Sequence, residues 1–366
     1  MRPLRSLRAH GFKSFERIEL DLNRGVNVLV GANGAGKSNF VSLFRFLNAL
    51  VSEQLQAYVG VSGGAGRVLY YGPKVTQSLT ISLRFGDNGY DAALSPTTED
   101  GLVFSKESLY FKGSYGTSTP YLGSGQTETK LVEAYRKEPD RIPGYSYRPM
   151  RSWQVYHFHD TSPNARVKAS QPLTDYQRLH GDAGNIAPFL YHLRARDYRA
   201  YENIRDVVRQ MFPQFGDFVL DPLPNEETLR LLWRESESDV VFGPNQLSDG
   251  TLRFICLATV LLQPIPPTTV LVDEPELGLH PAALALLADL VGQAANRCQV
   301  ILTTQSVTFL DAFEPSDVIV VDRARHAETG RFASTCRHLS DDEYVEWLEE
   351  YTLGDLWLKN VLGGRP

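Results

Sequence analysis

The chain has 366 residues, 42% hydrophobic and 22% charged, and a formal net charge of −6. That length supports a buried core in one large or two small domains, and the composition excludes disordered and fibrous classes. The acidic balance excludes a uniformly basic nucleic-acid binder, and the cluster Arg2, Arg5, Arg8, Lys13 and Arg17 reads as a solvated surface.

Taken in chain order, Ile18, Leu20 and Leu22 alternate with Glu19 and Asp21, which predicts a half-buried strand. Residues 26–30 form a more continuous apolar strand that runs into a glycine-rich loop, and 39–49 read as a helix rich in Phe and Leu. Leu79, Ile81, Leu83 and Phe85 alternate with polar residues, as in an antiparallel strand with one wet face. Residues 87–151 are rich in Gly, Ser, Thr, Pro and Tyr; this stretch holds the least readable structure, with room for mobile loops. A strand is expected over 153–159, a helical stretch over 182–212, and a short strand over 229–233. Residues 252–262 are apolar nearly all round, as in a buried helix. Short apolar strands at 270–272, 300–302 and 318–321 fit a parallel sheet covered on both faces. Between the first two lies an Ala/Leu-rich helix opened by Pro281, and 344–351 reads as a last helix. Both ends of the chain therefore read as α/β, separated by an inserted lobe.

Cys256, Cys298 and Cys336 are far apart and in no metal-ligand spacing, which fits a reducing compartment. No signal-peptide pattern and no run of membrane-spanning length is present in the sequence, so a cytoplasmic location is expected.

The segment Gly31-Ala-Asn-Gly-Ala-Gly-Lys-Ser38 satisfies the G-x-x-x-x-G-K-[ST] pattern between a strand and a helix. Its glycines let successive N–H groups turn toward phosphate oxygens, and the helix dipole adds to the attraction. The expected nucleotide contacts are Asn33, Gly34, Ala35, Gly36, Lys37, Ser38 and Asn39. Lys37 supplies charge to the β- and γ-phosphates, and Ser38 offers a hydroxyl to Mg²⁺. A second centre is Val270-Leu-Val-Asp-Glu-Pro275, a buried strand ending in two carboxylates. Asp273 is the expected Mg²⁺ ligand, usually through water, and Glu274 the base that deprotonates the attacking water. ATP and Mg²⁺ are the implied cofactors.

Leu247-Ser-Asp-Gly-Thr251 resembles the L-S-x-G signature of ABC-type ATPases, followed as that signature requires by a buried helix. The resemblance implies that Ser248, Asp249 and Gly250 meet the γ-phosphate bound by a second subunit, so that two ATP molecules join two heads. Leu7-Arg-Ala-His-Gly-Phe-Lys-Ser-Phe15 and the loop after it resemble RecF- and SMC-type ATPases. Asp273-Glu-Pro-Glu-Leu-Gly-Leu-His-Pro281, Thr303-Thr-Gln-Ser306, His157-Phe-His-Asp-Thr161 and Gly363-Gly-Arg-Pro366 are similar to compact RecF-like bacterial ATPases grouped under the AAA label. By that resemblance Lys13 and Ser14 touch nucleotide; a surface lysine is the other reading.

Two departures from the family pattern stand out. Gln305 occupies the place of the usual His, where an amide still donates a hydrogen bond to phosphate. The usual Q-loop Gln is not evident, and His157, His159 or Asp160 stands near where it should lie. His157 and His159 share one strand face, but without a third ligand they read as supporting groups. The expected fold is thus an α/β P-loop NTPase, an ABC-type ATPase head with a mixed-sheet lobe and a helical lobe. Its expected parts are 1–160 and 263–366 for the nucleotide-binding lobe and 161–262 for the helical signature lobe. The expected function is ATP hydrolysis coupled to homodimerisation, serving DNA repair and maintenance or phage defence, with DNA or an effector protein as partner. The rivals are an ATP-dependent scaffold with negligible turnover and the ATPase subunit of a membrane transporter.

Overall fold

The computed structural model describes residues 2–222, 227–327 and 329–364. In chain order the main elements are β1 (Ser6–Phe12), β2 (Phe15–Asp21), β3 (Val26–Val30), α1 (Lys37–Val51), β4 (Leu79–Phe85), β5 (Asn88–Pro96) and β6 (Leu102–Gly113). There follow α2 (Ile142–Ser152), β7 (Gln154–Tyr156), α3 (Ile186–Arg196), α4 (Tyr198–Met211), β8 (Phe215–Val219), β9 (Leu232–Glu235) and α5 (Asp249–Leu262). The chain ends with β10 (Thr269–Asp273), α6 (Pro281–Ala295), β11 (Gln299–Thr304), β12 (Val318–Arg325), β13 (Phe332–His338) and two short helices, Asp341–Leu348 and Leu353–Leu358.

Two compact units result. The first comprises Met1–Val155, Pro267–Leu271 and Cys298–Pro366; the second comprises Tyr156–Pro266 and Val272–Arg297. In the first unit an antiparallel sheet runs β2-β1-β4-β5-β6, with two short strands added to β6. A six-stranded sheet runs β13-β12-β3-β11-β10-β7. Within it β11 and β12 flank β3 in parallel, as the continuous apolar runs predict, and β13 adds an antiparallel edge.

Helix α1 ties the two sheets to one core. Its buried Phe40, Phe44, Phe46 and Leu47 share that core with Leu7, Ile81 and Leu83 of the antiparallel sheet and with Leu29, Ile301 and Ile319 of the parallel one. Phe46 meets Phe12 edge-on at 5.6 Å between ring centroids, and Phe44 meets Trp153 at 5.2 Å. Each such ring contributes about 1.5–3 kcal/mol by burial, so the helix that begins at Lys37 is anchored along its length.

In the second unit α5 is buried almost all round, through Phe254, Ile255, Cys256, Leu257, Val260 and Leu261. It packs against α4 and α6. No helix among the described residues is long and apolar enough to cross a membrane.

Several expected elements take a different form. Residues 87–151, the least readable stretch of the sequence, hold regular structure: β5 and β6 form a long hairpin, and α2 follows. Its polar composition hides a buried carboxylate. Glu107 is fully buried and accepts hydrogen bonds from Tyr90 Oη (2.7 Å), Gln126 Nε2 (2.8 Å), the Lys130 amide (2.9 Å) and Thr129 Oγ1. The strand over 153–159 stops at Tyr156, because the His157 amide leaves the sheet to bond the Gly181 carbonyl (2.8 Å). The stretch 182–212 is two helices, divided where Asp197 caps the second by accepting from the Ala200 amide (3.0 Å). The strand over 229–233 is also two pieces. Thr228–Leu229 pairs with Gln171–Pro172, and β9 pairs with β8. At the ends of the chain, Met1, Arg365 and Pro366 lie outside the described residues.

Candidate active site

Between β3 and α1 the chain turns through Gly34 at φ +79° and Gly36 at φ +129°, a left-handed region that side chains disfavour. An added Cβ at Gly36 would come within 2.5 Å of Ser334 Oγ, and one at Gly31 within 2.2 Å of the Val321 carbonyl oxygen. Glycine is therefore required by conformation and by space. At Gly34 nothing lies within 4 Å of a would-be Cβ, and Asn33, Gly34 and Ser38 are exposed.

Three segments distant in sequence brace this loop. Ser334 Oγ donates to the Ala35 carbonyl (2.5 Å) and lies 2.8 Å from Ser14 Oγ, which accepts from Asn39 Nδ2 (2.8 Å). The Ser334 amide donates to the Ser14 carbonyl (2.8 Å), and the Ala32 amide to the Gly364 carbonyl (2.6 Å). Lys37 is buried and folds its ammonium back over the loop, donating to the carbonyls of Gly31 (2.5 Å) and Ala32 (3.2 Å). Gly36 caps the 15-residue α1 without a side-chain bond. An open glycine turn, a lysine in reach, an exposed serine hydroxyl and a helix N-terminus fit a polyphosphate with its divalent cation.

Lys13 and Ser14 form the turn between β1 and β2. Lys13 sits at φ +47°, half-buried, and burial followed by nearby Arg45 lowers its pKa below the usual lysine range. It is Ser14 that bonds to Asn39. Gln305 follows β11, half-buried in a turn where Thr304 Oγ1 accepts from the Ser306 amide (3.0 Å) and Ser306 Oγ accepts from the Phe309 amide (3.2 Å).

In the second unit, β10 ends on Asp273, which is 9% exposed. Glu274 then takes φ +45°, a left-handed conformation that costs a non-glycine residue about 1–3 kcal/mol. Strain of that kind concentrates where a side chain must be aimed. His159 Nε2 lies 3.2 Å from the Asp273 carbonyl oxygen, and His157 Nδ1 lies 3.6 Å from Asp273 Oδ2. The two imidazoles lie with centroids 3.8 Å apart, tilted at 40° to each other, although both lie past the end of β7. Burial, and then His157, lowers the His159 pKa; the bond to the Asp273 carbonyl opposes this.

The signature residues open α5. Ser248 Oγ accepts from the Thr251 amide (3.1 Å) as N-cap, and Ser248 and Asp249 are exposed. Gly250 must be glycine, since a Cβ there would come 2.5 Å from the Gly278 carbonyl oxygen. One turn on, Arg253 donates Nε to the Phe158 carbonyl (3.0 Å), Nη2 to that of His159 (3.1 Å) and Nη1 to that of Leu277 (3.1 Å). This guanidinium joins the histidine segment, the turn after the acidic pair and the signature helix. Sequence reasoning did not single out Arg253 or Ser334, and it reached Gly364 only within the ending Gly363-Gly-Arg-Pro366, without a role. The signal for Arg253 was available: it is the one charge in the apolar run 252–262.

The family described as "AAA domain, putative AbiEii toxin, Type IV TA system" matches residues 26–311. Old nuclease of Escherichia phage P2 is 25% identical over 344 residues, covering 81% of this chain and 56% of that protein. The DNA replication and repair protein RecF of Acidothermus cellulolyticus is 37% identical over 73 residues, 20% of each chain. The chain thus spans little more than half of the first relative and a fifth of the second. Among solved structures, an Smc head bound to the C-winged helix domain of ScpA superposes with a TM-score of 0.56 at 17% identity, covering 93% of this chain and 99% of that one. An Smc head with an extended coiled coil from Pyrococcus furiosus gives 0.53 at 16% identity, covering 96% and 99%. The fold is that of a P-loop ABC-type ATPase head of the RecF/SMC kind.

Proposed function

The chain belongs to that AAA-domain family, and from this membership we propose that it hydrolyses ATP as a homodimer of heads acting in DNA maintenance or phage defence. The observation that carries the reading is the braced left-handed turn at Gly34–Gly36, opening onto a helix N-terminus with Lys37 folded beside it. Backbone N–H groups of Asn33 to Ser38, with Asn39 alongside, bind and orient the phosphates. Lys37 exchanges its two carbonyl partners for phosphate oxygens. Ser38 and Asp273 hold Mg²⁺, which supplies charge neutralisation on the transferring phosphoryl group. Glu274 accepts the proton of the attacking water, and Gln305 donates to the γ-phosphate. Ser248, Asp249 and Gly250 of a second copy complete the site. Lys13 adds positive charge near the nucleotide. DNA as the polymer is supported by the names of the relatives, a phage nuclease and a DNA replication and repair protein.

The test is Glu274→Gln. It is expected to lower turnover at least about 100-fold while ATP-bound dimers accumulate, as seen by light-scattering mass. Unchanged hydrolysis would remove Glu274 from the role of base, and a mass that ignores ATP would remove the dimer. Repeating both measurements with duplex DNA tests the substrate: no change in rate or mass rules the DNA reading out.

A further inference from the structure

His157 Nδ1 is buried and has no hydrogen-bond partner. A buried polar atom left unmatched is costly, and native proteins keep few of them without a purpose. The neighbouring ring is settled differently, since His159 Nε2 is matched by the Asp273 carbonyl. The atom nearest in chemistry to His157 Nδ1 is Asp273 Oδ2, at 3.6 Å, beyond hydrogen-bond range. An imidazole nitrogen and a carboxylate oxygen thus stand across a short gap. Neighbouring ligands of an octahedral ion with bonds of about 2.1 Å lie about 3 Å apart. A closure of about half an ångström would seat one ion between them.

We propose that His157 is a nitrogen ligand of the divalent ion that accompanies the nucleotide, shared with Asp273, and that it turns the preference of the site from Mg²⁺ toward Mn²⁺ and Co²⁺. This rests on the ATP-binding reading above. The imidazole is held for the task although its segment has no regular structure. The His157 amide bonds the Gly181 carbonyl (2.8 Å), Arg253 fixes the carbonyls of Phe158 and His159, and the tilted His159 ring packs against the imidazole. Such preorganisation keeps a donor aimed before the ion arrives. Asp273 brings the negative charge, and phosphate oxygens and water complete the shell. Mg²⁺ favours an all-oxygen octahedron, whereas imidazole suits later first-row ions. A nitrogen beside the carboxylate therefore acts as a selectivity element.

The test uses the full chain with Mn²⁺ and a non-hydrolysable ATP analogue. Electron spin-echo envelope modulation reads nitrogen bound directly to Mn²⁺, and ¹⁵N-histidine labelling identifies its source. The expected result is a histidine nitrogen signal in the wild type, lost in His157→Ala and kept in His159→Ala. Titration should show Mn²⁺ affinity falling about tenfold or more in His157→Ala, with Mg²⁺ affinity changing by about threefold at most. His157→Gln keeps the volume and offers an oxygen. It is expected to melt like the wild type and to bind Mg²⁺ at least as tightly, without the nitrogen signal. A wild-type Mn²⁺–nucleotide complex with no histidine nitrogen, or one that keeps it in His157→Ala, overturns the proposal. Failure of the wild type to bind Mn²⁺ with nucleotide at all overturns the ATP-binding reading and this inference with it.

Discussion

Around the phosphate loop the bracing arrives from far along the chain and in small portions. Ser14 meets Asn39, Ser334 meets Ala35, and Gly364 meets Ala32, each through one bond of ordinary strength. Around Asp273 the bracing is concentrated: Arg253 alone donates to three carbonyls on two segments. In the first region the indispensable feature is the backbone, because the glycine turn has no substitute while each brace has company. In the second the indispensable feature is one side chain. The difference says where single substitutions should be tolerated and where they should not.

The largest effect is expected at Gly36. An alanine there inherits φ +129° and places its Cβ against Ser334. Gly36→Ala should weaken binding of a fluorescent ATP analogue at least about 100-fold. The double variant Gly36→Ala/Ser334→Gly separates the two causes. It removes both Ser334 atoms that the new Cβ would meet and leaves the backbone angle, so it should stay defective. Full recovery would show that space alone, and not conformation, demands the glycine.

Arg253→Ala comes next. Removing it strips three carbonyls of a charged donor at once, a loss of about 2–4 kcal/mol in unfolding free energy. It should also slow ATP turnover about tenfold or more, because the signature helix and the turn after Glu274 lose their common tie. Nucleotide binding in the absence of a divalent ion should change little, since none of the three carbonyls that Arg253 holds lies in the phosphate loop. Arg253→Lys should recover only part of the loss, as an ammonium cannot span the three carbonyls that the planar fork reaches. A stable, fully active Arg253→Ala would sink the idea of a concentrated tie.

The same contrast explains what could be read in the sequence. The phosphate loop, the parallel strands and α5 announce themselves locally, through glycines at the turn and unbroken apolar runs such as 270–272. The hairpin of β5 and β6 did not, because Glu107 and its polar partners occupy the interior and break the expected alternation. The end of β7 was misread because His157 and His159 keep strand-like spacing after the backbone has left the sheet for Gly181. Ser334 could not be found at all, and Gly364 only as part of the ending Gly363-Gly-Arg-Pro366, without its role. Each is a commonplace residue whose importance comes from a partner some 300 positions away, and no local pattern encodes that partner. Arg253 was visible as the lone charge in the apolar run 252–262, but its three acceptors are backbone atoms, which leave no trace in side-chain identity.

Ser334→Ala gives the smallest expected effect and the sharpest check on the distributed bracing. It deletes the bond to the Ala35 carbonyl and the contact with Ser14 Oγ, while the Ser334 amide still donates to the Ser14 carbonyl and Asn39 still donates to Ser14. Loss of one such hydroxyl should cost about 0.5–1.5 kcal/mol in denaturant unfolding. ATP affinity should fall about threefold or less, because the glycine turn that aims the N–H groups keeps its shape. If Ser334→Ala proves as damaging to nucleotide binding as Gly36→Ala, the loop is held by one hydroxyl rather than by its own backbone. The two regions would then be built alike, each hanging on a single side chain.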